Sequence, residues 1–135
     1  MNLYLKINTI VVIICFSFIS CDLSKSKDEI YSKEYNLHHL LLFKFKEETA
    51  KDKIENIKIA GLSLNQIPGV YNLIWSTNIS PEGFNKGLTH SLTMQFESEI
   101  DRDSVYLPHP IHVKFGEIFA PNLDDLVVYD YWSKK

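Results

Sequence analysis

Residues 37–46 read LHHLLLFKFK. Their period of two sends Leu37, His39, Leu41, Phe43 and Phe45 to one side and His38, Leu40, Leu42, Lys44 and Lys46 to the other. Successive side chains leave a β-strand on opposite faces, so this alternation predicts a strand. One face is apolar except for His39. The strand therefore lies on a core and carries one imidazole toward it.

Downstream, the period changes. Thr49 can cap a helix in which Ile54, Ile57, Gly61 and Leu64 recur at helical spacing to about residue 65, with Ile59 and Leu62 widening the stripe. Pro68-Gly69 marks a turn, and Val70 to Asn78 reads as a second strand. Residues 79–87 hold one Pro and two Gly and read as a loop. Leu88 to Glu97 alternates again, with His90, Leu92, Met94 and Phe96 on one face. Glu97, Glu99, Asp101 and Asp103 suit the positive end of a helix dipole better than a calcium loop, whose glycine and ligand spacing are missing. A short helix to about Leu107 is broken by Pro108-His109-Pro110, a second covers Ile111 to about Ala120, and Asp125 to Trp132 closes the chain as a strand.

Strand, helix, strand, strand, helix, strand is the split βαββαβ order of a ferredoxin-like α+β domain, a four-stranded antiparallel sheet with helices on one face. The other face is left open, and Leu40, Leu42, Tyr71 and Tyr129 are expected there. A domain of about one hundred residues is short of core. These features predict a homodimer joined sheet to sheet, a dimeric α+β barrel.

Working outward to the N-terminus, residues 1–6 hold one cation, Lys6, and Ile7 to Ser20 is mostly apolar. That is the length of a signal-peptide core and short for a membrane span. Phe18-Ile19-Ser20-Cys21 resembles the lipobox of bacterial lipoproteins, with Phe18 where Leu is usual. The resemblance implies cleavage after Ser20 and lipidation of the Cys21 thiol. Residues 1–21 are then a lipoprotein signal peptide, 22–36 a flexible tether, and 37–132 the folded domain. The expected location is the bacterial cell envelope, exported and membrane-anchored through lipid on Cys21. The 135-residue chain has a net charge of −3 and two Cys. It lacks the basic footprint of a nucleic-acid binder and the thiols of a disulfide framework or Cys-rich zinc site.

The histidines are the candidate chemistry. His39 and His90 begin inward-facing series on strands, while His109 and His112 flank the start of a helix, six residues after Tyr106 in the case of His112. A helix N-terminus disfavours added positive charge and would keep the His112 imidazole neutral near pH 7. A neutral imidazole accepts protons, and a phenol can hydrogen-bond a carbonyl. Mutual satisfaction of buried His and Tyr fits the same spacing. A His-rich metal site, two histidines from the helix joining two from strands, is the lesser alternative and is not assigned, because no carboxylate stands at ligand spacing. No cofactor is expected either, since no Gly-rich phosphate loop, nucleophile elbow or HExxH motif is present.

Several motifs in fixed order carry a family resemblance. They are His39 to Lys46, Ile67-Pro68-Gly69, Ser80-Pro81-Glu82-Gly83, Thr89-His90, Phe96-Glu97-Ser98, Tyr106-Leu107-Pro108-His109-Pro110-Ile111-His112 and Val127-Val128-Tyr129-Asp130-Tyr131. Over about 37–132 the chain resembles the stress-responsive A/B barrel (Dabb) family. That resemblance implies a ferredoxin-like subunit and a dimeric α+β barrel. The family includes a plant polyketide cyclase whose general-base His falls on His112 and partner Tyr on Tyr106, with further pocket histidines on His39 and His90. The cyclase's apolar mould is not matched: residues 49–65 hold no aromatic, and Leu123 stands where it has a pocket Trp.

The expected site is a small apolar pocket between sheet and helices. His39, His90, Tyr106 and His112 supply its polar groups, and Leu41, Leu92 and Val128 its wall. The first functional expectation is a stress-related module binding a small hydrophobic ligand. The alternative is a cofactor-free enzyme of the cyclase, isomerase or monooxygenase-like kind, with His112 as base and Tyr106 as acid.

Overall fold

The computed structural model describes residues 34–135. The expected signal peptide, Cys21 and tether residues 22–33 lie outside the described residues. The first strand, β1 (Tyr35–Phe45), starts earlier than its apolar pattern. Tyr35 pairs with Lys134 and Asn36 with Ser133, so backbone pairing carries the strand two residues into the segment read as tether. Next come α1 (Lys51–Leu62), β2 (Tyr71–Thr77), β3 (His90–Phe96), a π-helical turn over Asp101–Tyr106, α2 (Pro110–Phe119) and β4 (Leu123–Lys134). All pairings are antiparallel, in the order β2-β3-β1-β4. The predicted βαββαβ subunit is what the chain forms. Among the described residues no helix is long and apolar enough to cross a membrane.

The core lies between the helices and the inward face of the central strands. Leu37, Leu41, Phe43 and Phe45 of β1 and Leu92, Met94 and Phe96 of β3 are buried there with Ile57, Leu64, Phe115 and Phe119. Helix α1 approaches closely because residue 61 is Gly. A Cβ there would lie 3.0 Å from the Trp75 ring and 3.2 Å from the Phe115 ring. The expected Thr49 cap does not form. Ala50 is the N-cap and makes no side-chain hydrogen bond, while Thr49 Oγ1 lies 3.5 Å from the Asn122 carbonyl oxygen.

The turn after α1 follows its sequence. Val70 N donates to the Ile67 carbonyl at 3.1 Å, and Gly69 has φ +85°. Pro68-Gly69 is therefore a type II turn, with Gly where φ must be positive. Beyond it, β2 is bulged between Tyr71 and Ile74, and Asn72 has φ 50°. Tyr71, expected on the open face, is half-buried like Leu73 and Trp75 at alternate positions of β2. The Tyr71 hydroxyl is buried and has no hydrogen-bond partner among the described residues. Burial raises its pKa to about 12, with Glu97 and Asp101 adding to the shift.

Where a short helix to Leu107 was expected, the backbone widens. Leu107 N donates to the Arg102 carbonyl at 2.9 Å, a five-residue step. Such π-turns accommodate one extra residue and recur at functional sites.

Candidate functional site

His39 is buried on the inward side of β1, and Asp130 is its partner in register on β4. His39 Nδ1 lies 2.6 Å from Asp130 Oδ1. An ionised carboxylate only accepts, so Nδ1–H donates, and in the neutral ring Nε2 is then the acceptor. Arg102 Nη1 donates to the other carboxylate oxygen, Oδ2, at 2.8 Å. Asp103 clamps the same guanidinium through Nε at 2.7 Å and Nη2 at 3.1 Å. This pairing holds the Asp103 carboxyl below its ordinary value.

Tyr106 ends the π-turn and is 1% exposed. Its ring meets His39 edge-on at 5.7 Å and His112 at 4.4 Å between centroids. Burial, reinforced by the Asp130 charge, pushes the phenol well above the ordinary tyrosine value. It therefore stays a protonated donor across the physiological range.

His112 lies in the first turn of α2. Its Nδ1 is 2.8 Å from the Leu107 carbonyl oxygen, which can only accept, so Nδ1 carries the proton. Nε2 is again the bare nitrogen. Burial lowers the His112 pKa, the Leu107 hydrogen bond opposes that shift, and positive charge on His39, when that ring is protonated, adds to it. His109 is used differently: its Nδ1 accepts from Ile111 N at 3.2 Å and caps α2, with Pro110 behind it at the first helical position.

The structure thus brings His39, Tyr106 and His112 together and sets His90 apart. His90 pairs with Phe43, four residues along β1 from His39, about 13 Å at strand rise. It stacks on Phe43 at 5.5 Å and contacts Phe45 and Trp75, and its Nδ1 lies 2.8 Å from Thr89 Oγ1. Two cavities meet at His90. One of about 560 Å³ is lined by Leu42, Thr77, Ile79, Phe84 and Leu88 among others, and one of about 380 Å³ by Ile54, Lys58 and Trp75. The expected wall is divided too. Leu41 and Leu92 are closed into the core, whereas Val128 shares Leu41's side of the sheet but is 52% exposed on the edge strand. Among the described residues no group of three or more His, Cys, Asp or Glu could hold a metal ion.

Sequence reasoning missed Asp130 and Arg102 as members of the cluster. Both left a signal. Asp130 is an acid two residues beyond Val128 on the strand side that faces inward, and Arg102 is the chain's only arginine.

The sheet order, the helices on one face and the buried His/Tyr cluster define a ferredoxin-like α+β domain with a polar site beneath its helices. The Stress Responsive A/B Barrel Domain (Dabb) family matches residues 37–133, and the chain belongs to that family. It is 32% identical over 98 residues to olivetolic acid cyclase of Cannabis sativa, covering 72% of this chain and 96% of that protein. Hydroxynitrile lyase from Passiflora edulis has a similar structure, with TM-score 0.68 and 24% identity over 73% of this chain and 93% of that one. A dimeric ferredoxin-like protein from Thermobifida fusca superposes with TM-score 0.62 and 22% identity, over 72% and 90% of the two chains.

Proposed function

We propose that this protein is a cofactor-free acid–base catalyst acting on a small, largely apolar carbonyl compound, with His112 as general base and Tyr106 as hydrogen-bond donor. The observation that carries this is the His112 ring. Its Nδ1 is committed to the Leu107 carbonyl and its charge is disfavoured by burial, so Nε2 is an acceptor beside a phenol that stays protonated. Removal of a proton from carbon next to a carbonyl needs that pair of groups. Nε2 takes the proton while the phenol stabilises the developing enolate oxygen. Likeness to olivetolic acid cyclase, an enzyme by name, supports the reading. The test is α-proton exchange of acetylacetone in heavy water. Exchange above the buffer rate, lost in His112→Ala and reduced in Tyr106→Phe with the fold intact, is expected. Equal rates with wild type and His112→Ala would refute the assignment.

A binding-only reading draws on the two cavities that meet at His90, where apolar side chains such as Leu42, Phe84 and Trp75 mix with polar ones such as Asn85, Glu55 and Lys58 around an imidazole whose pKa burial lowers. A ligand held there would be insensitive to His112→Ala and lost in His90→Ala.

The protein also works, in this proposal, as a homodimer tethered to a membrane of the bacterial envelope by lipid on Cys21. Dimeric neighbours and the exposed Val127, Tyr129 and Tyr131 on the open face support the dimer. The Phe18-Ile19-Ser20-Cys21 sequence supports the tether. Labelling with a fatty-acid analogue that persists in Cys21→Ala would remove lipidation from that residue.

A further inference from the structure

The chain's only arginine is the best-anchored charged side chain near the cluster, yet it touches neither Tyr106 nor His112 in any described hydrogen bond. Asp103 holds two of its nitrogens, and the third, Nη1, reaches across to Asp130 on the edge strand. Asp130 needs such an anchor. Its side chain is 28% exposed, while that of His39 is 9% exposed. A carboxylate at the sheet edge has water to turn to; held on Oδ2 by Arg102, it keeps Oδ1 on His39 Nδ1. The π-turn supplies Arg102 and Tyr106 together, four residues apart on the segment facing the sheet.

We propose that Arg102 is a positioning residue: acting through Asp130, it fixes His39 in the Nδ1–H tautomer. Nε2 of His39 then joins Nε2 of His112 as a pair of acceptors, which selects a neutral ligand bearing hydroxyl donors, of the phenol or enol class, over a carboxylate anion. This deepens the proposed site and rests on the reading of that cluster as the place where the ligand sits. The charged and titratable groups facing His39 fit the selection. Asp130 comes from β4, Arg102, Asp103 and Tyr106 from the π-turn, and His112 from α2. The guanidinium lies between the two carboxylates and is satisfied by them, so no free cation is presented to an anionic ligand. Two bare imidazole nitrogens repel an anion's lone pairs and accept from hydroxyls.

The test is ¹⁵N spectroscopy of the histidine side chains in the full chain at pH 7.5, with phenol and benzoate as probes. In the wild type His39 is expected as the pure Nδ1–H tautomer, and phenol is expected to shift Nε2 of both His39 and His112 where benzoate shifts neither. Arg102→Gln is expected to let His39 sample both tautomers and to weaken phenol about tenfold, the loss of roughly one hydrogen bond. Arg102→Lys, which keeps a cation but not the fork, is expected to restore part of both. Asp130→Ala is expected to match Arg102→Gln, and the double variant to be no worse than Asp130→Ala, because one residue acts through the other. An unchanged His39 tautomer in Arg102→Gln, or additive losses in the double variant, would overturn the proposal. If phenol shifts no histidine in the wild type, the ligand reading of the cluster fails, and the His39 tautomer still decides the role of Arg102.

Discussion

The two imidazoles that burial keeps neutral, His90 and His112, make a pH signature at the scale of single residues. Each has a folded pKa below the ordinary 6.5, so the unfolded chain takes up its proton first as the medium is acidified. Their contribution to stability is complete above 6.5 and is lost as pH falls through the folded values. A lower urea midpoint at pH 5 than at pH 7.5 is expected, with a smaller difference in His90→Gln/His112→Gln. An unchanged difference in the double variant would assign the acid sensitivity elsewhere. At this scale the sequence reveals much, but by type and not by partner. Alternation and the segment before a helix gave the faces of His39, Tyr106 and His112, while their grouping was implied only by the family resemblance. That His90 belongs elsewhere could not be read, because two inward positions on paired strands look alike until register places one opposite Phe43. Arg102 and Asp130 were hidden for the same reason, since their contact spans 28 residues of chain.

The elements are set by period and by close approach. Alternation on β1 and β3 is read straight from the sequence because one face of each is sealed by helices. The π-turn is not legible, because a single extra residue in a six-residue segment changes backbone hydrogen bonding without changing composition. The β2 bulge escaped for a similar reason: Asn72 adopts a left-handed conformation that no local motif announces. Gly61 shows how tightly α1 seats. Ala is the better helix former by about 1 kcal/mol, which alone would make Gly61→Ala stabilising. Its methyl would press on Trp75 and Phe115, however, and both rings are hemmed in, Trp75 by Phe43 and Phe45 and Phe115 by Phe119. Overpacking of this kind costs about 1–3 kcal/mol, so a net destabilisation of about 1 kcal/mol is expected in urea denaturation. A stabilised variant would mean that the helix can move off the sheet.

For the whole molecule, the question is what lies on the open sheet face. Leu40 of β1 and Tyr129 of the edge strand β4 are paired on it, Val127 and Tyr131 flank Tyr129 on β4, and Tyr131 stacks on His38 at 4.6 Å. Tyrosines that act as interface hot spots contribute about 2 kcal/mol or more each. Tyr129→Lys is therefore expected to weaken the proposed dimer by roughly 30-fold or more by light scattering across a dilution series, while circular dichroism stays unchanged. Dimer affinity equal to wild type would put the partner copy on another surface. The order of strands and helices predicts this open face from sequence alone, because two helices cover only one side of four strands.

The chemistry proposed for that molecule depends on one nitrogen. If His112 is the base, its neutral ring must carry the proton on Nδ1, donated to Leu107, and leave Nε2 bare. The ¹⁵N shifts of the His112 side chain at pH 7.5 measure this directly. A protonated Nδ1 with an unprotonated Nε2, converting to the cation only below pH 6.5, is the predicted result. A ring that is already cationic at pH 7.5, or one protonated on Nε2, would contradict it.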